Sequence, residues 1–215
     1  MLKPIRWRSF PRDLVVIEFG FLLFGFSIAT MIRLGLGTSA WPVLEVALSR
    51  ILNISPGTMT VITGFFVLSG GLLLREQMGW GTLANILSIG PWEDLALRIL
   101  PDLSGLNLFV RIGLLLAAIL VMGIASAIYI GVDAGAGPRD TMMLGIKRKF
   151  GVSVRIARGS IEVVVVTVGW LLQGPVGIGT LIFALLIGPS VQWGFKLLNV
   201  DPHKPAEIHP LPQKS

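Results

Sequence analysis

Gly79-Trp80-Gly81-Thr82-Leu83-Ala84-Asn85-Ile86-Leu87-Ser88-Ile89-Gly90-Pro91 returns 98 residues later as Gly177-Ile178-Gly179-Thr180-Leu181-Ile182-Phe183-Ala184-Leu185-Leu186-Ile187-Gly188-Pro189. Chance in an apolar chain sets leucine over leucine. It does not hold Gly-x-Gly-Thr and Gly-Pro at one separation in both copies, so the chain is read as an internal repeat. Outside this stretch Ile28, Ala29, Ile32 and Gly35 meet Ile124, Ala125, Ile128 and Gly131 at an offset of 96, and Pro42 meets Pro138. One repeat covers 14–100 and the other 108–198, within a single membrane domain over 1–200.

Composition sets the environment of that repeat. The 215 residues are 53% hydrophobic and 14% charged, with a mean hydropathy of +0.79. A water-soluble fold of this length has no interior large enough for so much apolar surface. Several runs reach the ~17–25 residues that cross a bilayer, and they are continuous rather than alternating, which excludes a membrane β-barrel. The class is all-α, polytopic, with the lipid bilayer as its first partner. No cysteine is present, so disulfides, thiolate metal sites and cysteine nucleophiles are excluded. The net charge of +6 sits beside apolar spans and points to anionic headgroups, not to nucleic acid.

In chain order, Leu14–Ile32 reads as an uncleaved first span after the basic residues 1–13. The glycine turn Gly35-Leu36-Gly37-Thr38-Ser39 leads into a short re-entrant or interfacial helix over 40–52. Spans follow over 57–74, 82–100 (with Gly90-Pro91 near its middle) and 108–130. A second glycine turn over 131–138 and a second short helix around 140–150 come next, then spans over 159–172 and 178–198. Proline inside a helix removes a donor and crowds the preceding turn, so a kink or break is expected at each Gly-Pro. The tail 201–215, rich in proline and polar residues, reads as disordered and cytoplasmic.

Six crossings give three per repeat, an odd number, so the two halves are expected to be inverted relative to each other. With the N-terminus inside, fourteen Lys and Arg fall on the cytoplasmic side, and Arg33, Arg50, Arg98 and Arg111 fall outside. That distribution obeys the positive-inside rule and puts both termini in the cytoplasm, at the bacterial inner membrane.

Inverted repeats with paired interrupted segments are the architecture of many secondary transporters. On that reading the solute site comprises Gly90, Pro91, Glu93 and Asp94 in the first half, Gly137, Pro138, Arg139 and Asp140 at the second turn, and Gly188 and Pro189 in the second half. A bland reading stays open: glycines that permit close packing, prolines that bend helices, and charges that cap or neutralise one another. Asp140 is expected to cap a helix start, Glu162 to pair with Arg158 one turn earlier, and Glu18 to hydrogen-bond a neighbouring helix. His203 and His209 lack acids at metal-ligand spacing. No nucleotide cradle, zinc-protease motif or serine nucleophile elbow occurs, so the expectation is no enzyme, no catalytic residue, no metal and no cofactor. A small-solute carrier or exporter is the first expectation. The alternative is a non-transporting scaffold whose basic segment 147–158 docks a biosynthetic or signalling protein partner.

At these residues the chain resembles the YczE-like bacterial membrane proteins of the wider YczE/YyaS/YitT group. The resemblance is carried by Gly35-Leu36-Gly37-Thr38-Ser39, Gly81-Thr82-Leu83 with Ile89-Gly90-Pro91, Gly137-Pro138-Arg139-Asp140, Ile161-Glu162-Val163, Gly169-Trp170-Leu171-Leu172, and Gly179-Thr180 with Ile187-Gly188-Pro189. It implies an integral protein of the bacterial cytoplasmic membrane and no particular activity. Where the family continues Ser-Pro-Trp-Asp, this chain has Ser39-Ala40-Trp41-Pro42, which removes an acidic group.

Overall fold

The computed structural model describes residues 5–74, 78–135 and 137–200. The tail 201–215, with His203 and His209, and also Arg75, lie outside the described residues. Among the described residues eight helices follow in order: α1 Phe10–Leu34, α2 Ala40–Leu52, α3 Pro56–Leu73, α4 Trp80–Ile99, α5 Leu108–Gly131, α6 Pro138–Phe150, α7 Val154–Leu171 and α8 Ile178–Leu197. The all-helical class and both short helices agree with the sequence reading. Local chemistry explains several boundaries. Ser55 and Ser153 each accept the backbone N–H three residues on, and Asn107 accepts that of Phe109. Gly35, Asn53 and Gly151 end α1, α2 and α6 in the left-handed conformation. The Ser153 cap starts α7 five residues before the expected 159.

Among the described residues four helices are long and apolar enough to cross a membrane: α1, α3, α5 and α8, of 25, 18, 24 and 20 residues. The other two expected spans, α4 and α7, have comparable lengths of 20 and 18 residues. Their charges, Glu93, Asp94 and Arg98 in α4 and Arg155, Arg158 and Glu162 in α7, lower their hydropathy.

At the centre α1 packs antiparallel to α5. Arg111, at the start of α5, donates from Nε and Nη2 to the Leu34 carbonyl at the end of α1, at 2.9 and 2.6 Å. At the opposite end Arg6 donates to the carbonyl of Val132, just past α5. Helix α4 packs on α1 and α8 on α5, while α2 packs on α7 and α6 on α3. Each short helix therefore lies against a long helix of the other repeat. The core gathers where α1 and α5 meet, on Ile17, Phe21, Ile28, Leu115, Ile119 and Met122, all nearly inaccessible.

The repeated Gly-x-Gly-Thr acquires a physical meaning here. Gly179 N–H donates to the Leu36 carbonyl at 2.7 Å, and Gly81 N–H donates to the Ala134 carbonyl at 3.0 Å. The structure sets the turns and short helices at an offset of 98 rather than 96, since Gly37 and Gly135 share a positive φ and α2 and α6 start at Ala40 and Pro138, so Pro42 does not stand opposite Pro138. Leu36 and Ala134 are then equivalent positions, and the glycine turn of each repeat is clasped by the Gly-x-Gly-Thr of the other. The threonine accepts from the first glycine in both, Gly79 to Thr82 at 3.2 Å and Gly177 to Thr180 at 3.3 Å. Side chains are barred from both turns by backbone contact and by φ, +100° at Gly37 and +131° at Gly135.

Neither Gly-Pro breaks its helix: α4 and α8 run on through Pro91 and Pro189. Pro91 and Pro189 are exposed, and Gly90 is buried against Gly57 of α3. Gly57, Gly64 and Gly90 let α3 and α4 pack closely. Their equivalents in the second half are Arg155, Glu162 and Gly188. Helix α7 packs instead on α2 and α6, and nothing lies within 4 Å of a Cβ placed on Gly188.

Candidate functional site

A cavity of about 510 Å³ lies between the two repeats, with walls from every helix of the fold. Phe24 and Ile28 line it from α1, Ile86 and Ile89 from α4, Met122 from α5, Ile161, Val163 and Val166 from α7, and Phe183 and Ile187 from α8. Polar groups enter from several helices: Thr60 from α3, Asn85 from α4, Ser126 and Tyr129 from α5, Arg139 and Asp140 from α6, and Arg158 and Glu162 from α7. Ser39 and Gly137, the N-cap residues of α2 and α6, also reach this wall. The first turns of both short helices therefore meet at the cavity, one from each repeat.

Where they meet, four helices build one ionic cluster. Arg139 Nη2 of α6 donates to Glu45 Oε1 of α2 at 2.7 Å, and its guanidinium carbon stands 4.7 Å from the ring centroid of Trp41. Glu45 has 0% exposure and Arg139 keeps 32% of its side-chain surface. A buried carboxylate needs a partner of this kind, since desolvation otherwise outweighs any attraction. Thr60 of α3 extends the cluster: its Oγ1 is 3.2 Å from Glu45 Oε2 and 2.9 Å from Glu93 Oε2 of α4. Glu93 has 0% exposure, and its Oε1 is buried with no hydrogen-bond partner. Gly25 of α1 lies so near the Glu93 backbone that a Cβ there would sit 2.7 Å from its nitrogen.

The residues expected at the site divide. Gly137, Pro138, Arg139 and Asp140 line the cavity, and Glu93 joins them through Thr60 and Glu45. Asp140 sits in the first turn of α6, where its carboxylate meets the Gly137 backbone and the Tyr129 hydroxyl. Arg158 on the α7 wall pairs with Glu162 at 2.9 Å, as its spacing indicated. Asp94, adjacent to Glu93, serves α3 instead, accepting from Gly57 N–H at 2.8 Å and from the Ser55 hydroxyl. Gly90, Pro91, Gly188 and Pro189 do not line the cavity. Glu18 accepts from Ser88 Oγ at 2.6 Å and Trp92 Nε1 at 3.1 Å, joining α1 to α4 as expected.

Trp41, Glu45 and Thr60 were not singled out in the sequence. A signal existed for two of them, because Trp41 and Glu45 are four apart on a helix and so share a face. Glu45 also follows Pro42 by one turn, close to the position where the resemblance implies an acid.

Comparison with known proteins matches the model of a family of unknown function, DUF6198, to residues 11–196. A Haemophilus influenzae "Uncharacterized protein" is 32% identical over 201 residues, covering 94% of this chain and 91% of the relative. The Bacillus subtilis "Uncharacterized membrane protein YczE" is 29% identical, with 91% and 89% covered, and "Uncharacterized protein YyaS" of the same organism is 26% identical, with 79% and 85% covered. No solved structure matches. The chain belongs to the DUF6198 family and is a YczE-like membrane protein.

Proposed function

We propose that the protein is a small-solute carrier of the bacterial cytoplasmic membrane. In this reading α1, α3, α4, α5, α7 and α8 cross the bilayer, α2 and α6 re-enter it, and both termini are cytoplasmic. The two repeats are inverted and enclose the solute, and no catalysis is involved. One observation carries the proposal: the cavity between the repeats, where the start of α6 and the first two turns of α2 bring Arg139, Trp41 and Glu45 together. The reciprocal clasps of Gly179 on Leu36 and Gly81 on Ala134 support equivalent, oppositely directed halves. Half-helix N-termini near mid-membrane are where such carriers hold polar or charged solutes. The bacterial relatives support the location.

The chain's lack of cysteine makes the test direct. Asn85→Cys places one thiol on the cavity wall, to be labelled with a small impermeant thiol reagent in intact cells and in inverted vesicles. A carrier exposes its site alternately, so labelling from both faces is expected. Labelling from one face only, or from neither, contradicts the carrier. It would favour the scaffold reading, whose docking surface would be the exposed Lys147, Lys149 and Phe150 at the end of α6.

A further inference from the structure

Counting hydrogens in the cluster leads beyond its geometry. A threonine hydroxyl has one hydrogen to donate, and an ionised carboxylate has none. Thr60 Oγ1 nevertheless lies within hydrogen-bond distance of both Glu45 Oε2 and Glu93 Oε2. It can donate to one of them. Toward the other it must accept, so that carboxyl has to bring a hydrogen of its own. Glu45 already holds the guanidinium of Arg139 at 2.7 Å, which fixes it as the charged member. The second hydrogen then belongs on Glu93 Oε2, and the chain runs from Glu93 O–H to Thr60 Oγ1 and from Thr60 O–H to Glu45 Oε2.

The surroundings of Glu93 agree. From α3 only Thr60 reaches its carboxyl, while Ser55 and Gly57 are engaged by Asp94. From α1 the nearest acid, Glu18, is engaged by Ser88 and Trp92. Helix α2 offers Glu45, and α6 offers Arg139, which is bonded to Glu45. Glu93 Oε1, buried without a partner, is tolerable as the carbonyl of a neutral acid and costly as half of a bare carboxylate.

We propose that Glu45 and Glu93 share one proton through Thr60, and that Arg139 sets how many protons the pair holds. While Arg139 stays on Glu45 the pair carries one proton and one negative charge. If Arg139 turns to an anionic group of a solute in the cavity, Glu45 loses its counter-charge in a buried place and takes up a second proton. One anion bound then brings one proton bound, by linkage between the two sites. Thr60 and Arg139 both line the cavity, so the proton and the anion reach the cluster from the same side. The transport consequence, proton-coupled movement of an anionic solute, rests on the carrier reading; the shared proton does not.

The test needs no solute. Infrared difference spectra of the purified full-length protein in H2O and D2O report the C=O stretch of protonated carboxyls at neutral pH. Glu93→Gln should lose one such band. Arg139→Gln, which removes the counter-charge, should gain one that disappears again when combined with Glu45→Gln, while Arg139→Lys should gain none. Far-UV dichroism and gel filtration confirm that each variant is folded. The proposal is overturned if Glu93→Gln removes no band, or if folded Arg139→Gln adds none. Should Arg139→Gln not fold, the Glu93→Gln spectrum still decides the shared proton. Two-sided labelling of Asn85→Cys with no Glu93 band sinks the coupling alone; the band with one-sided labelling sinks the carrier alone.

Discussion

The repeat supplies its own control for helix packing, because Gly90 and Gly188 occupy equivalent positions in surroundings of opposite kind. A Cβ on Gly90 would stand 2.8 Å from Val61 Cγ2 and 3.0 Å from the Gly57 carbonyl carbon, with the Gly57 oxygen nearer still. Val61 can rotate away; the Gly57 backbone can move only by separating α3 from α4. A Cβ on Gly188 meets nothing within 4 Å. Gly90→Ala should therefore cost about 3 kcal/mol, the upper part of the overpacking range. Gly188→Ala should stabilise by about 0.5–1 kcal/mol, the ordinary gain from replacing a mid-helix glycine. Reversible unfolding of the purified protein in mixed micelles, followed by far-UV dichroism, measures both. Equal effects, or a less stable Gly188→Ala beside a neutral Gly90→Ala, would refute the assignment of Gly90 to packing.

Other substitutions probe the neighbouring contacts. Asp94→Ala removes the acceptor for Gly57 N–H and Ser55 Oγ, so it should lower stability by about 1 kcal/mol, as loss of a helix cap does, with Asn85→Cys labelling unaltered. Glu18→Ala leaves Ser88 and Trp92 without their charged acceptor; a loss of about 2 kcal/mol is expected, with a change in tryptophan fluorescence. Hydrogen bonds from the Ser104 backbone and then its hydroxyl hold the Asp102 carboxyl below its ordinary value. Its stabilising contribution should be present above that ordinary value and lost as pH falls through the depressed one. Unfolding midpoints of wild type and Asp102→Asn should therefore converge on acidification, and a constant gap would contradict this.

Much of the fold was legible because it is written in apolar run length and in glycine. Continuous runs fixed the helical class, and the two turns around Gly37 and Gly135 marked both short helices. The meaning of Gly90-Pro91 and Gly188-Pro189 was not legible. One glycine can serve packing, bending or a ligand, and only the neighbour decides, here Gly57 in one case and open space in the other. Glu93 and Asp94 show the same limit. As adjacent acids on a helix they point about 100° apart, and that rotation sends one to the Thr60 cluster and the other to the start of α3. Arg139 was visible by its place at a helix start. Its partner Glu45, 94 residues away in sequence, could be joined to it only once the fold brought the start of α6 within side-chain reach of α2.

The central claim, two oppositely directed halves around one cavity, is tested most directly by Leu52 and Phe150. They are equivalent in the repeat, 98 residues apart, end α2 and α6, and are 56% and 65% exposed. Single cysteines at these positions, labelled with an impermeant maleimide in intact cells, report the face each occupies. Leu52→Cys should label from outside and Phe150→Cys only after permeabilisation. Labelling of both from the same face would mean parallel halves, and would contradict the inverted architecture and the carrier built on it.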